Sequence, residues 1–406
     1  MGPETEHSTG FAFLRRQSPA EALITMERLY EENSFLTDFD ARVLTCAPGK
    51  GGYEVTLDRT AFFPEGGGQP WDTGTLGPAR VLEVHDRGGQ VVHLCDSPLE
   101  PGQAVRGTID WDRRFDLMQQ HSGEHIVSGL AHARLGCDNV GFHLGAELVT
   151  IDLSAELDEE QLSWLEGEAN RYVWQDRPVS VSVPAPEELE RLAYRSKKAL
   201  DGPVRIVTFP GADCCACCGT HVRSAGQVGL IKLLTVQKFR SGCRIELVCG
   251  GRALAYLSGA LEQNRQVSRL LSAKLFQTGA AVERLLAENE GHKARCARLE
   301  EDRFAALARQ YAGAGDVVLF EEGLSPDALR RLCDAVLRTC GGRCACFSGG
   351  EGAGWQYAVG APDRDLRPLA KEMNTALDGR GGGKPDFIQG ILQADRARIE
   401  AFFRTH

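Results

Sequence analysis

Two short motifs, far apart in the chain, share one spacing. His121-Ser122-Gly123-Glu124-His125 places two histidines four residues apart, and Cys217-Cys218-Gly219-Thr220-His221 places a cysteine and a histidine four apart. Three imidazoles and one thiolate make a full tetrahedral shell of the ligand types zinc prefers. A site assembled from such distant segments is not a local zinc finger. Whatever fold the chain adopts has to bring both segments to one point.

Residues four apart share a helix face, so His121 and His125 can aim at one ion from a helix. Gly219 disfavours a helix at the second motif, and a tight loop leading to the strand after Gln227 is expected there. Cys214-x2-Cys217 or Cys215-x2-Cys218 is a competing half of a zinc ribbon, but no second knuckle follows at ribbon spacing. His121-x2-Glu124-His125 also matches the inverted zinc-protease pattern, in which Glu124 is the general base. Such proteases usually complete the shell with a carboxylate, whereas here a cysteine and a histidine stand ready. A zinc closed by four protein groups is normally structural, so zinc's part in any reaction stays open.

Composition narrows the rest. Fourteen cysteines in 406 residues invite a disulfide reading. Four of them crowd into Cys214, Cys215, Cys217 and Cys218 beside a histidine, which favours metal. No secretion signal or membrane-length apolar run is visible, so a cytoplasmic protein without membrane attachment is expected. A net charge of -10 argues against general nucleic-acid binding over the whole surface. Local basic groups remain: Arg113 and Arg114 before the histidine motif, and Lys232, Lys238, Arg240 and Arg244 after the cysteine motif.

The expected architecture is α+β and multidomain. Residues 1–25 are polar and read as a disordered extension. Residues 26–111 alternate short β-type runs with Gly and Pro, a small β-barrel or sandwich with the barrel preferred. Within them, Phe62-Phe63-Pro64-Glu65-Gly66-Gly67-Gly68-Gln69-Pro70 marks a loop where backbone approaches something closely. Residues 112–251 mix helices and strands around the two motifs. Residues 252–312 read as a helical hairpin broken near Gly279. Residues 313–406 read as a C-terminal α/β domain of strand, helix, two strands and helix, followed by Gly381-Gly382-Gly383-Lys384-Pro385, read as a turn or a phosphate-approaching loop.

The set Thr60-Ala61-Phe62-Phe63-Pro64-Glu65-Gly66-Gly67-Gly68-Gln69-Pro70, His121-x3-His125, Gly141-Phe142-His143 and Cys217-x3-His221 resembles the editing domain of alanyl-tRNA synthetases. More closely, it resembles the long form of the free-standing editing proteins called AlaX. The tail is similar to the C-terminal domain of those synthetases, and the chain is expected to lack an adenylation domain. The resemblance implies hydrolysis of seryl- or glycyl-tRNA(Ala) at its ester, with one zinc held by His121, His125, Cys217 and His221. It places Thr60 and Gln69 beside the amino-acid pocket, Thr60 being the candidate contact for a serine hydroxyl. Glu124 is read as catalytic, as support for the zinc site or as a solvated helix residue. tRNA contacts are expected at Arg113, Arg114, Gly382 and Lys384, and a homo-oligomer is allowed. Two other readings stand beside this one: a zinc metallopeptidase built on His121, Glu124 and His125, and a non-catalytic tRNA-binding protein with structural zinc.

Overall fold

The computed structural model describes residues 26–196, 203–350 and 352–406. The expected extension at residues 1–25 lies outside them. The chain forms two compact units, Met1–Gln263 and Asn264–His406.

Six strands of the first unit pair into one sheet: β1 (Asp38–Gly49), β2 (Gly52–Leu57), β3 (Gly74–Leu76), β4 (Ala79–Arg87), β5 (Gln90–Cys95) and β6 (Ala104–Ile109). They pair in the order β1-β2-β5-β4-β3-β6, and β6 returns to β1, closing a barrel. Alternation explains its packing: Val105, Gly107 and Ile109 of β6 point inward while Ala104, Arg106 and Thr108 face out. Phe39, Val55, Leu57, Phe62 and Leu76 fill the interior.

Asp110 follows β6 directly and caps the next helix, α1 (Trp111–Leu130), its carboxylate accepting from the Arg113 amide. The helix carrying the first motif therefore starts where the barrel ends. Arg114 in its first turn is wholly buried and pairs with Asp72. It also donates to the carbonyls of Ser34 and Ala61, at 2.8 and 2.7 Å.

An antiparallel sheet of four strands packs against α1. It runs β12 (Ile231–Phe239), β13 (Gly242–Cys249), β8 (Val149–Leu153), β7 (Asn139–Leu144), with α2 (Glu159–Trp174) joining the same core. Gly123 lets α1 approach this sheet, because a Cβ there would lie 2.2 Å from Cys249 Sγ. A small sheet of β9 (Ser180–Ser182), β10 (Ile206–Phe209) and β11 (Asp213–Ala216) leads into the second motif.

The boundary between units falls inside α3 (Gly250–Leu270). The helical break expected near Gly279 lies earlier, because Gly279 sits within α4 (Thr278–Gln310) and the chain leaves the helix after Leu270. The second unit holds a five-stranded sheet whose order is β14 (Gly315–Phe320), β15 (Gly341–Gly350), β16 (Gly354–Gly360), β18 (Phe387–Leu392), β17 (Arg380–Lys384). Helices α5 (Pro326–Cys340), α6 (Arg367–Ala376) and α7 (Arg396–Thr405) complete it. The Gly381–Gly383 run is thus an edge strand, not a turn or loop. Its glycines serve the sheet itself: a Cβ at Gly381 would lie 2.1 Å from the Tyr357 hydroxyl, and one at Gly383 would lie 2.3 Å from the Phe387 carbonyl. Among the described residues, no helix is long and apolar enough to cross a membrane.

Candidate metal centre

The two motifs meet. His121 and His125 lie on the buried face of α1, and Cys217 and His221 on the loop that follows β11. One ligand atom from each of the four lies within 4.8 Å of the others. Cys217 Sγ is 3.5 Å from His121 Nε2 and 3.3 Å from His221 Nε2. Tetrahedral zinc, with Zn–S of about 2.3 Å and Zn–N of about 2.0–2.1 Å, separates sulfur from nitrogen by about 3.6 Å. The donors therefore fit the ion in type, number and spacing.

Each imidazole is held by its other nitrogen. His121 Nδ1 is 2.9 Å from Gln69 Oε1, His125 Nδ1 is 2.8 Å from Asp213 Oδ2, and His221 Nδ1 is 3.4 Å from Ser122 Oγ. Outer partners of this kind fix the tautomer that turns Nε2 towards a metal. Asp213 is itself clamped by Arg195, through Nε to Oδ1 and Nη2 to Oδ2, both at 2.7 Å. Burial alone would raise the Asp213 carboxyl, but its bonds to His125 and Arg195 outweigh that and hold it below its usual range.

The sulfur is prepared in the same way. Burial opposes ionisation of Cys217, yet the neighbouring His121 ring holds its thiol well below its ordinary value. Burial drives His221 down to about 3, which keeps that ring neutral. Thiolate and neutral imidazole are the forms that bind metal.

Backbone shape makes the closure possible. A Cβ on Gly219 would sit 2.3 Å from His121 Cε1 and 2.9 Å from Gln69 Oε1, so only glycine lets this loop reach the helix. The Gly66–Gly68 loop lies alongside: Gly67 has φ of +60°, and a Cβ there would be 3.0 Å from Cys218 Sγ. Gly68 accepts a hydrogen bond from the Leu144 amide at 3.3 Å, and the Phe142 ring stacks on His121. The glycine-rich loop expected to approach something closely approaches the metal-site loop and β7.

The remaining candidates fall in different places. Gln69 is buried and spans to the second motif as well as to His121, its Nε2 donating to Thr220 Oγ1 at 2.8 Å and its Oε1 accepting from the Thr220 amide at 3.1 Å. Glu124 is not a solvated helix residue. It is buried, and its Oε1 accepts from Ser128 Oγ and Asn139 Nδ2. Thr60 is wholly buried and bonds within the barrel. His93 Nδ1 points at the Val55 carbonyl, so its Nε2 accepts from the Thr60 hydroxyl, 2.8 Å away.

Arg114, expected to contact tRNA, is not available to it, because it has no solvent exposure and donates to Asp72, Ser34 and Ala61. Arg113 is half-buried, with Nε on the Trp71 carbonyl. Gly382 and Lys384 are exposed on the edge strand of the second unit. Lys232, Lys238 and Arg244 are each paired with an acid, Glu166, Glu156 and Asp152 respectively.

The reading of the sequence missed Asp213, Arg195 and Ser122. A signal existed for two of them. Every metal-bound imidazole needs an acceptor for its second nitrogen, Asp213 lies on the strand entering the cysteine motif, and Ser122 lies inside the histidine motif. A cavity of about 580 Å³ is lined by Asp213 and Arg195 together with His132, Asn139 and Tyr194. None of the four converging residues lines it.

Residues 204–246 match the family described as "Threonyl and Alanyl tRNA synthetase second additional domain", and residues 16–113 match "tRNA synthetases class II (A)". The chain is 32% identical to the alanyl-tRNA editing protein Aarsd1 of Bos taurus, over 93% of this chain and 97% of that protein. It is 28% identical to the protein of the same name from Mus musculus, over 93% and 96%. An alanine–tRNA ligase of Pyrococcus abyssi is 31% identical over 90% of this chain and 42% of the ligase.

Proposed function

The chain belongs to the alanyl-tRNA editing family, and from that premise we propose that it is a trans-editing hydrolase that removes serine or glycine from mischarged tRNA(Ala) at the aminoacyl ester. The observation that carries the reading is the convergence of His121, His125, Cys217 and His221, with each imidazole oriented from behind by Gln69, Asp213 or Ser122. These four residues would hold one zinc ion. Bound there, zinc supplies Lewis-acid polarisation and positive charge near an ester that is already activated.

The chain's own groups do the positioning. Gln69 keeps the His121 ring in register with the cysteine loop, so we assign it a positioning role rather than contact with the reacting atoms. In the Gly66–Gly68 loop the Gly66 amide is already bonded to the Gln69 carbonyl. That leaves the amides of Gly67 and Gly68 as candidates to stabilise developing negative charge on the ester oxygen. The Thr60 hydroxyl donates its hydrogen bond to His93 and accepts one from the Phe62 amide, so towards a seryl hydroxyl it would offer its second lone pair. Contacts of this type, left unmet by alanine, can discriminate by about four orders of magnitude.

The peptidase reading is weaker because Glu124, its required base, is buried and tied to Ser128 and Asn139. The deciding experiment compares Ser-tRNA(Ala), Gly-tRNA(Ala) and Ala-tRNA(Ala) as substrates of the purified chain. Faster release of serine or glycine than of alanine supports editing. Equal or absent release of all three sinks it and leaves tRNA binding with a structural zinc.

A further inference from the structure

A second group of metal-ligating side chains lies in the other unit, remote in sequence from both motifs. Cys333 is on α5, and Cys344 and Cys346 are on β15, which follows it in the chain. Residues two apart on a strand face the same way, so Cys344 and Cys346 both turn towards the helix. Their sulfurs are 3.6 Å apart, Cys333 Sγ donates to the Cys344 carbonyl at 3.4 Å, and all three sulfurs lie within 4.8 Å of one another. All three residues have no solvent exposure.

We propose that Cys333, Cys344 and Cys346 form a three-sulfur site for a soft monovalent cation, copper(I). Thiolate donors select soft ions. Three sulfurs around a cation at about 2.3 Å lie about 4.0 Å apart in a trigonal plane, the scale of the observed cluster. Zinc is a poorer match because it requires a fourth ligand. The cluster contains no imidazole or carboxylate, and the core around it holds Val317, Leu319, Leu332 and Val336. Binding leaves copper in its +1 state, and each thiol that ionises on binding releases its proton to solvent. Because the sulfurs are enclosed, entry requires a local opening between α5 and β15, and slow uptake follows.

The test uses the full chain, loaded with one zinc per chain and titrated without oxygen with copper(I) buffered by a coloured chelator. The expected result is one copper per chain taken up with zinc retained, and an X-ray absorption spectrum showing sulfur neighbours only, at about 2.2–2.3 Å. Cys333→Ala and Cys346→Ser, checked for folding by circular dichroism, should each weaken copper uptake at least tenfold while keeping zinc. Nitrogen neighbours around copper, or displacement of the zinc, would place the ion at the histidine site and overturn the proposal. So would a second zinc per chain with no copper uptake. The spectrum of the unmodified chain decides the matter even where a variant fails to fold.

Discussion

Gln69 Oε1 lies 2.9 Å from His121 Nδ1 and 3.1 Å from the Thr220 amide, so one side chain from the barrel's glycine-rich loop ties both metal motifs together. The residues it bridges are 52 and 151 positions away. The barrel therefore acts as a brace for the metal centre as well as a neighbouring domain.

Removing that brace should loosen the metal. Gln69→Leu keeps the bulk but deletes the acceptor for His121 and both links to Thr220. Loss of such an outer partner typically costs about 10- to 100-fold in metal affinity. The expected outcome is a fall of that size in zinc affinity, measured by chelator competition, with the barrel still folded. Unchanged affinity would mean that His121 is oriented by other contacts.

Gly219 is a steric requirement. Its φ lies outside the left-handed region, so the constraint comes from the His121 ring and Gln69 rather than from backbone strain. Gly219→Ala forces one of them to move, and overpacking of this type costs about 1–3 kcal/mol. Zinc affinity should drop and Tm should fall. Wild-type zinc affinity in this variant would show that the loop can retreat without disturbing the ligand.

What could be read from the sequence, and what could not, follows from these distances. His121 and His125 announce themselves because one helical turn relates them, and the same spacing flags Cys217 and His221. Their outer partners are only half legible: Ser122 and Asp213 lie in or beside the motifs, but which ring each one meets is set by the fold, Asp213 reaching His125 across 88 residues. The glycine runs show the same limit. Gly66–Gly68 reads correctly as a point of close approach, whereas Gly381–Gly383 looks like a turn and is an edge strand, because the demand for small residues comes from Tyr357 and Phe387. Arg114 looks like a surface cation until its acid, 42 residues earlier, is seen beside it.

Arg114 separates two readings of basic residues near the site. As a tRNA contact its loss would weaken binding and leave stability unchanged. Buried against Asp72 and two carbonyls, it should instead be needed for folding. Arg114→Met leaves the Asp72 carboxylate buried without its partner, a change that costs about 3–5 kcal/mol. Urea unfolding should show a loss of that order. A variant as stable as wild type, with weaker tRNA binding, would restore the surface reading.

The barrel should also carry a pH signature of its own. Burial lowers the His93 ring to about 4, against about 6.5 when the chain is unfolded. Above pH 6.5 the ring is neutral in both states and does not alter the balance. Between about 6.5 and 4 the unfolded chain takes up a proton that the folded barrel refuses, so stability falls as pH falls; below about 4 both states are protonated and the loss levels off. The difference between the two values corresponds to about 3 kcal/mol at full loss. His93→Gln can still donate to Val55 and accept from Thr60 but does not titrate. It should therefore be less steeply destabilised across that window, measured on metal-free protein so that the zinc ligands titrate alike in both chains. Parallel stability profiles for the two proteins would show that His93 takes up its proton without leaving its place between Thr60 and Val55.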